Sequence, residues 1–383
     1  MNILFSAEYY PTPDSPVTAF IAVLCREMTR QGHSVTVIAP QALSETVRGR
    51  AKKQPYHFVD RVKVGEDMRE INVYSPMVLS SGFGRLAHVT KWSHEQAVYR
   101  TACKLSKPDV CYAHMWTSGY FILRYAKINN IPLFVATGED RIFFQNYLSE
   151  KTLSRIRENV RGVVCVSTKN MDESVTCGLA VKEKCQVFPN AIDDSMFHHL
   201  DKSKCREELG FPQDDFIVAF VGRFYNRKGV NRVSDAIKAL SDPHIKSIFI
   251  GTNTPGETMQ PNCEGILFKG KLPHDEIPLY LNAADVFVLP SLAEGCSNSI
   301  VEAMACGLPV ISSDLPFNYD ILNEGNSILI NPNDIDAIAN AIKKLKDDEN
   351  KRREMSECAL KTASNLTITQ RTKNIIEFIK SAR

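Results

Sequence analysis

The chain has 383 residues, of which 44% are hydrophobic and 23% charged, and its formal net charge is +2. That length predicts two domains, each able to bury a core, and the balanced charge offers no global excess that would draw a nucleic acid. Eleven cysteines stand singly, with no Cys-x-x-Cys pair, and read as reduced, buried thiols of a cytosolic protein. Met1 leads straight into a strand, and no apolar run reaches the length of a membrane span, so any membrane contact is expected to be peripheral.

Residues 2–6 read as a strand, followed by the turn-rich stretch 10–16, a helix from about 17 to 31 stopped by Gly32-His33, and a strand over 34–38. This βαβ opening lacks Gly-x-Gly-x-x-Gly, which argues against a dinucleotide dehydrogenase. Short alternating runs between 55 and 80 look like strands. From 83 to 105 the pattern is helical, with Arg85, His88, Lys91, Trp92, His94 and Arg100 interleaved with apolar residues. Two readings stand side by side: a basic amphipathic face that meets anionic lipid, or a solvated helix face with one buried Trp92.

Residues 107–114 form a strand that delivers His114 at its carboxyl end, a helix follows near 120–127, and the strand 131–136 runs out into Gly138-Glu139-Asp140. Residues 141–157 read as helical, with Phe143, Phe144, Tyr147 and Leu148 as a packing or acceptor surface, and 162–167 as the next strand. The domain boundary is placed near residue 200, at the linker-like Asp201-Lys202-Ser203-Lys204.

The second half opens with the buried strand 216–221, which exits into Gly222-Arg223-Phe224-Tyr225-Asn226-Arg227-Lys228-Gly229 before a helix near Val230. A basic loop is ordinarily a solvated surface, but this one's place between a strand and a helix favours an anion site. An arginine fork and a lysine supply charge for a nucleoside diphosphate that survives partial desolvation. Strands are expected at 246–250 and 286–289, with the run 266–273 between them leading into a helix over 274–283. The last of these strands leads into Ser291–Asp314, SLAEGCSNSIVEAMACGLPVISSD, and sets Glu294 and Gly295 on a loop at a strand's carboxyl end, where open α/β sheets bind ligands. A helix then runs over 299–306, ends at Gly307, and gives way to a strand at 310–312. Ser299-Ile300-Val301-Glu302 fits a capping box, which would give Glu302 an ordinary structural role. Beyond it lie a strand at 327–330 and helices near 335–346, 350–363 and 369–381. Asp334-Ile335-Asp336 superficially matches a metal-binding Asp-x-Asp, but an N-cap explains Asp334 better.

Glu294 and Glu302, with Gly295 between them and Glu-Ala-Met-Ala-Cys-Gly-Leu-Pro-Val following, closely resemble the donor-sugar motif of GT-B retaining glycosyltransferases, especially the large family 4 group. The resemblance implies an α/β GT-B fold of two Rossmann-like domains facing a central cleft. It assigns 1–198 to acceptor binding, 199–365 to the nucleotide sugar, and 366–383 to a helix that returns to the first domain. It also implies that Gly222, Arg223 and Lys228 contact the diphosphate, and that the backbone from Gly270 to Leu272 meets the base. Glu294 would hold hydroxyls of the transferred sugar and Glu302 those of the ribose, with Gly295, Cys296, Ser297, Asn298 and Ser299 completing the donor loop. Arg223, Lys228 and Glu294 are the expected catalytic residues, stabilising the leaving diphosphate electrostatically without a metal or other cofactor.

The first domain departs from that pattern. The usual Gly-Gly of the first loop is replaced by Asp14, Ser15 and Pro16, so Thr18 or helix-start amides would have to serve the phosphate. The histidine expected after the strand 131–136 is missing, which leaves Glu139 or Asp140 as an acceptor for a sugar hydroxyl, with His114 nearby. In the hinge-like Pro189-Asn190-Ala191-Ile192-Asp193, Ala191 stands where a glycine is usual.

The implied activity is transfer of a sugar from a nucleotide-diphosphate sugar, UDP ahead of GDP, to a hydroxyl of a glycan or lipid-linked acceptor in surface polysaccharide or glycolipid synthesis, at the cytoplasmic face of the membrane. A non-catalytic nucleotide-sugar-binding partner subunit and a non-hydrolysing epimerase are the rival readings.

Overall fold

The computed structural model describes residues 1–12, 20–49, 52–80, 87–253 and 258–382. The chain divides into two compact units, Met1–Phe188 with Thr372–Arg383, and Pro189–Arg371. The division falls at Phe188/Pro189, upstream of the 198/199 boundary expected from sequence. The run Asp201–Lys204 is no linker. Asp201 accepts from the Lys204 amide at 2.9 Å and caps the helix Lys202–Leu209, which buries Cys205 and Arg206.

The first unit holds β1 (Asn2–Ser6), β2 (Ser34–Ile38), β3 (Gln41–Ala42), β4 (His57–Val64), β5 (Asp67–Tyr74), β6 (Met77–Val78), β7 (Val110–His114), β8 (Leu133–Thr137), β9 (Val160–Cys165) and β10 (Cys185–Val187). Eight of them form one sheet in the order β10-β9-β8-β7-β1-β2-β5-β4, while β3 and β6 pair separately. The central strands are near-continuous apolar runs because helices cover both faces of a parallel sheet. Only β4 runs antiparallel, joined to β5 through Gly65, and its charged Asp60, Arg61 and Lys63 suit an edge. Arg26 clamps Asp60 at 2.8 and 3.2 Å, and the Tyr10 hydroxyl donates to the same carboxylate at 2.7 Å.

The expected single helix over 141–157 is broken in two, a 3₁₀ turn Phe144–Tyr147 and the helix Glu150–Asn159, because the Ser149 side chain accepts from the Thr152 amide and starts a new helix. In the helix Ala87–Ala102, Trp92 is 59% exposed, which overturns its reading as a buried residue.

The second unit carries β11 (Phe216–Val221), β12 (Ile245–Ile250), β13 (Ile266–Gly270), β14 (Val286–Leu289), β15 (Val310–Ser313) and β16 (Ser327–Ile330) in one parallel sheet, ordered β13-β12-β11-β14-β15-β16. Its strand β11 is buried at all six positions. Asp285 anchors the layer: it takes the Ile217 amide at 2.7 Å, Arg206 at 2.6 Å and Lys202 at 2.7 Å, so its buried charge is paired. Asp334 caps the helix Ile335–Asp347 through the Ala337 amide at 2.9 Å. All eleven cysteines are free thiols.

Candidate active site

In the second unit the chain runs β11 to β12 to β13 on one side, then crosses to lay β14 on the other side of β11. The strand order therefore reverses between β11 and β14, and ligands of open α/β sheets sit outside the carboxyl ends of such strands. The two loops that leave these strands carry the charged residues singled out in the sequence. After β11, Gly222 and the exposed Arg223 lead to a 3₁₀ turn, Asn226–Lys228. After β14, Pro290-Ser291 leads to Glu294. Lys228 Nζ lies 2.5 Å from Glu294 Oε1, with both side chains largely buried, so a lysine and a carboxylate from neighbouring strand exits meet in a poorly solvated place.

The backbone is built for close approach here. Gly229 ends the turn at φ +81°, and a Cβ there would meet Pro290 Cγ and Pro290 O at 2.9 Å. Only glycine fits. Gly251, after β12, lies so near the Gly222 carbonyl that a Cβ would stand 1.8 Å from its oxygen. Gly222 and Gly270 are thereby stitched through the β12 exit, Gly222 N donating to Ile250 O at 2.9 Å and Gly251 N to Gly270 O at 2.8 Å. Leu272, just beyond, is half-buried.

Glu294, Gly295, Cys296 and Ser297 are buried, Asn298 is exposed and Ser299 half-buried. The helix that follows spans Asn298–Ala305 with Ser297 at its N-cap position, and no side chain caps it. Its first amides, from Asn298 onward, are the unfilled donors of a helix start. The capping box is not formed, because Ser299 lies inside the helix instead of at its cap. Glu302, 8% exposed, instead pairs with His274, whose Nε2 lies 3.0 Å from Glu302 Oε1. That hydrogen bond raises the His274 pKa above its ordinary value, against the opposing effect of burial. Phe197 packs on the imidazole at 5.0 Å between ring centres.

His274 and Arg232 were not singled out in the sequence, and Asn190 and Arg227 were named there without these contacts. Arg232 donates to Asn226 O at 3.0 Å and to Pro290 O at 2.8 Å, joining the two loops. Asn190 donates to Cys296 O at 2.8 Å. Arg227 packs over the Tyr225 ring and bonds its hydroxyl. Arg232 and Asn190 hold backbone carbonyls far away in the chain, contacts that leave no local pattern. Burial pushes the Cys296 thiol up to about 12, so its part in the loop is through the backbone.

The first unit treats its candidates differently. Glu139 Oε1 takes the Trp116 amide at 3.1 Å, while Oε2 takes the Thr137 hydroxyl at 2.6 Å and the Gly138 amide at 2.9 Å. Both oxygens thus tie the exit of β8 to the start of the helix Trp116–Ile128. The backbone carbonyl of Asp140 receives Lys169 Nζ at 2.5 Å. His114 is half-buried at the end of β7. Thr18, with Asp14, Ser15 and Pro16, lies outside the described residues.

Two family models match the chain, one in each half. Residues 17–196 match the family model Glycosyltransferase Family 4, and residues 201–362 match Glycosyl transferases group 1. The chain is similar throughout to sucrose-phosphate synthase from Thermosynechococcus elongatus, with a TM-score of 0.77, 19% identity, and 100% of this chain and 99% of that one covered. The chain is a GT-B glycosyltransferase. Another GT-B likeness is Anabaena HepE, solved with UDP, at a TM-score of 0.74 and 21% identity with both chains fully covered. In sequence this glycosyltransferase is 28% identical to Bacillus subtilis TuaC, named for teichuronic acid biosynthesis, over 89% of this chain and 88% of that protein. It is 26% identical to the Escherichia coli UDP-Gal:alpha-D-GlcNAc-diphosphoundecaprenol alpha-1,3-galactosyltransferase, over 71% of this chain and 75% of that one.

Proposed function

We propose that the protein transfers a hexose from a nucleotide-diphosphate sugar, UDP ahead of GDP, to a hydroxyl of a glycan or lipid-linked acceptor in surface polysaccharide or glycolipid assembly. The observation that carries this reading is the Lys228–Glu294 pair at the β11/β14 reversal. A diphosphate needs cations that stay charged when partly dehydrated, and Arg223 and Lys228 stand at one strand exit. A sugar needs carboxylates that accept from hydroxyls, and Glu294 stands at the other. As the glycosidic bond breaks, negative charge grows on the leaving diphosphate; Arg223, Lys228 and the amides beginning at Asn298 would stabilise it. Glu302, steadied by His274, would take the ribose hydroxyls.

Retention at the anomeric carbon and independence from divalent metal belong to the same proposal. The name of the galactosyltransferase supports the choice of UDP and of a lipid-linked acceptor, and that of TuaC a place in polysaccharide synthesis. Peripheral membrane contact through the helix Ala87–Ala102 is included, supported by exposed Trp92, His88 and Arg100; among the described residues no helix is long and apolar enough to cross a membrane. Incubation with UDP- and GDP-sugars and a lipid-linked acceptor extract tests the whole reading. Acceptor-dependent release of nucleoside diphosphate, unchanged by EDTA and giving a product with the donor's anomeric configuration, is expected. Nucleotide binding without release would point to the non-catalytic partner subunit instead. Failure to sediment with anionic vesicles at low salt would remove the membrane contact.

A further inference from the structure

The loops that carry the donor chemistry leave neighbouring strands of one sheet in the second unit, and such strands lie about 4.8 Å apart. On the glycosyltransferase reading a nucleotide sugar runs along this row of exits. Its base lies beyond β13 at Gly270 and Leu272, its diphosphate beyond β11 at Arg223 and Lys228, and its hexose beyond β14 at Glu294. The row continues one strand further, to β15, whose exit is the loop 314–320. A hexose ring is about one strand spacing across, so the edge farthest from the diphosphate falls at that exit.

Buried hydrogen bonds tie this loop to the donor loop. Ser312 Oγ donates to Leu289 O at 2.8 Å and Ser313 Oγ to Ser291 O at 2.5 Å, so the end of β15 holds the backbone that leads to Glu294. Asn318, fully buried, closes the loop back onto the same strand end, its Nδ2 donating to Ser313 O at 2.7 Å and to Ser312 Oγ at 3.1 Å. The Cys296 thiol, raised first by burial, is raised further by the carboxylates of Asp320 and Glu294, which therefore stand around one donor loop. Held in this way, the loop presents two exposed side chains, Asp314 and Tyr319. The Tyr319 hydroxyl donates to Asp314 Oδ1 at 3.0 Å, and this bond raises the Tyr319 pKa, which keeps the phenol a donor and the carboxylate an acceptor. The Tyr319 ring is 55% exposed, so burial does not account for its place.

We propose that Asp314 and Tyr319 read the 4-hydroxyl of the transferred hexose, the one opposite the anomeric carbon, and thereby choose between donor sugars epimeric at C4. The hydroxyl donates to the Asp314 carboxylate, which Tyr319 holds in one orientation, while the Tyr319 ring offers an apolar face to the C–H edge of the sugar. Axial and equatorial 4-hydroxyls point in different directions, so one fixed carboxylate serves a single epimer. The inference rests on the glycosyltransferase reading and adds the feature of the sugar that the donor site selects.

Calorimetric titration of the full chain with UDP-glucose, UDP-galactose, UDP-N-acetylglucosamine and UDP-N-acetylgalactosamine tests it, with UDP and GDP titrated in parallel. Within at least one epimeric pair, one member is expected to bind about tenfold more tightly, as a hydrogen bond to a charged acceptor would give. Asp314→Ala is expected to reduce that preference to about twofold and Tyr319→Ala to lower it about threefold. UDP affinity stays at the wild-type value in both, because UDP carries no hexose. Nucleotide binding without any epimer preference in the wild type overturns this inference and leaves the donor site standing. Wild-type preference in Asp314→Ala overturns it too, as does a parallel loss of UDP affinity there, the mark of a loop that only supports the fold. Asp314→Asn, which keeps the size of the side chain and removes its charge, decides if Asp314→Ala fails to fold. If neither nucleotides nor UDP-sugars bind, the glycosyltransferase reading falls and this inference with it.

Discussion

The two units reverse their strand order at corresponding places, β11/β14 in one and β1/β7 in the other, and furnish those places with opposite chemistry. At β11/β14 a lysine and a glutamate meet at 2.5 Å, an arginine stands exposed beside them, and glycines bring the backbones together. At β1/β7 the lining is the Glu8 carboxylate, hydroxyls, the His94 imidazole and an aromatic wall, and the nearby Glu139 is occupied with backbone amides. Topology chooses where a ligand can sit; the loop residues choose its charge. Sheets of one kind can thus end in loops of different charge in the two units.

The strongest way to break the comparison is to remove the charge from β11/β14. Each charge-assisted contact contributes about 1.5–3 kcal/mol, so Arg223→Ala and Lys228→Ala are each expected to lower turnover about 10- to 100-fold, and the double variant further. Rates near wild type in the double variant would sink the donor assignment. Gly229→Ala forces a side chain into a left-handed conformation, at a cost of about 1–2 kcal/mol, and drives a Cβ against Pro290. Weaker binding of nucleotide sugar, read by calorimetry, should accompany a lower melting temperature.

Glu139→Ala sharpens the contrast from the other side. It strands three donors at the β8 exit, which should cost about 1–3 kcal/mol and lower the melting temperature by about 2–4 °C for each kcal/mol. An unchanged melting temperature would mean that those bonds do not hold the loop. The smallest effect concerns His274. Its pKa is raised in the folded protein from an ordinary 6.5, first by the Glu302 hydrogen bond, so its bound proton stabilises the fold fully below that value. That stability is lost as pH rises through the raised value. Wild type should therefore lose stability over this interval relative to His274→Ala; parallel curves of melting temperature against pH would discard the pairing.

What could be read from the sequence follows the range of each interaction. Strands such as 216–221 and 286–289 announce themselves as unbroken apolar runs and were placed to the residue. That Gly222, Arg223, Lys228 and Glu294 lie on loops at strand exits was legible because the apolar runs before them mark the strand ends. Partners distant in the chain were not. The capping box assigned to Glu302 is a four-residue pattern, and it yielded to His274, 28 positions away. Ser149 was overlooked as a helix start because apolar spacing continued across it, and one of the two readings of the helix Ala87–Ala102 put Trp92 inside although the helix turns it outward.

The chain leaves the first unit at Phe188/Pro189 and re-enters it at Arg371/Thr372. The two crossings are laced together, with Arg371 Nε donating to Pro189 O at 2.7 Å and Ile368 N to Ile192 O at 2.7 Å. The returning segment then sets Phe378 against Phe134 and Phe188, at 5.7 and 5.8 Å between ring centres. On the ribosome, the second unit is continuous in sequence, whereas the first, although begun earlier, gains the Phe378 contacts only after the second unit has been made. The half of the protein whose synthesis begins first is therefore the half whose contacts are completed last.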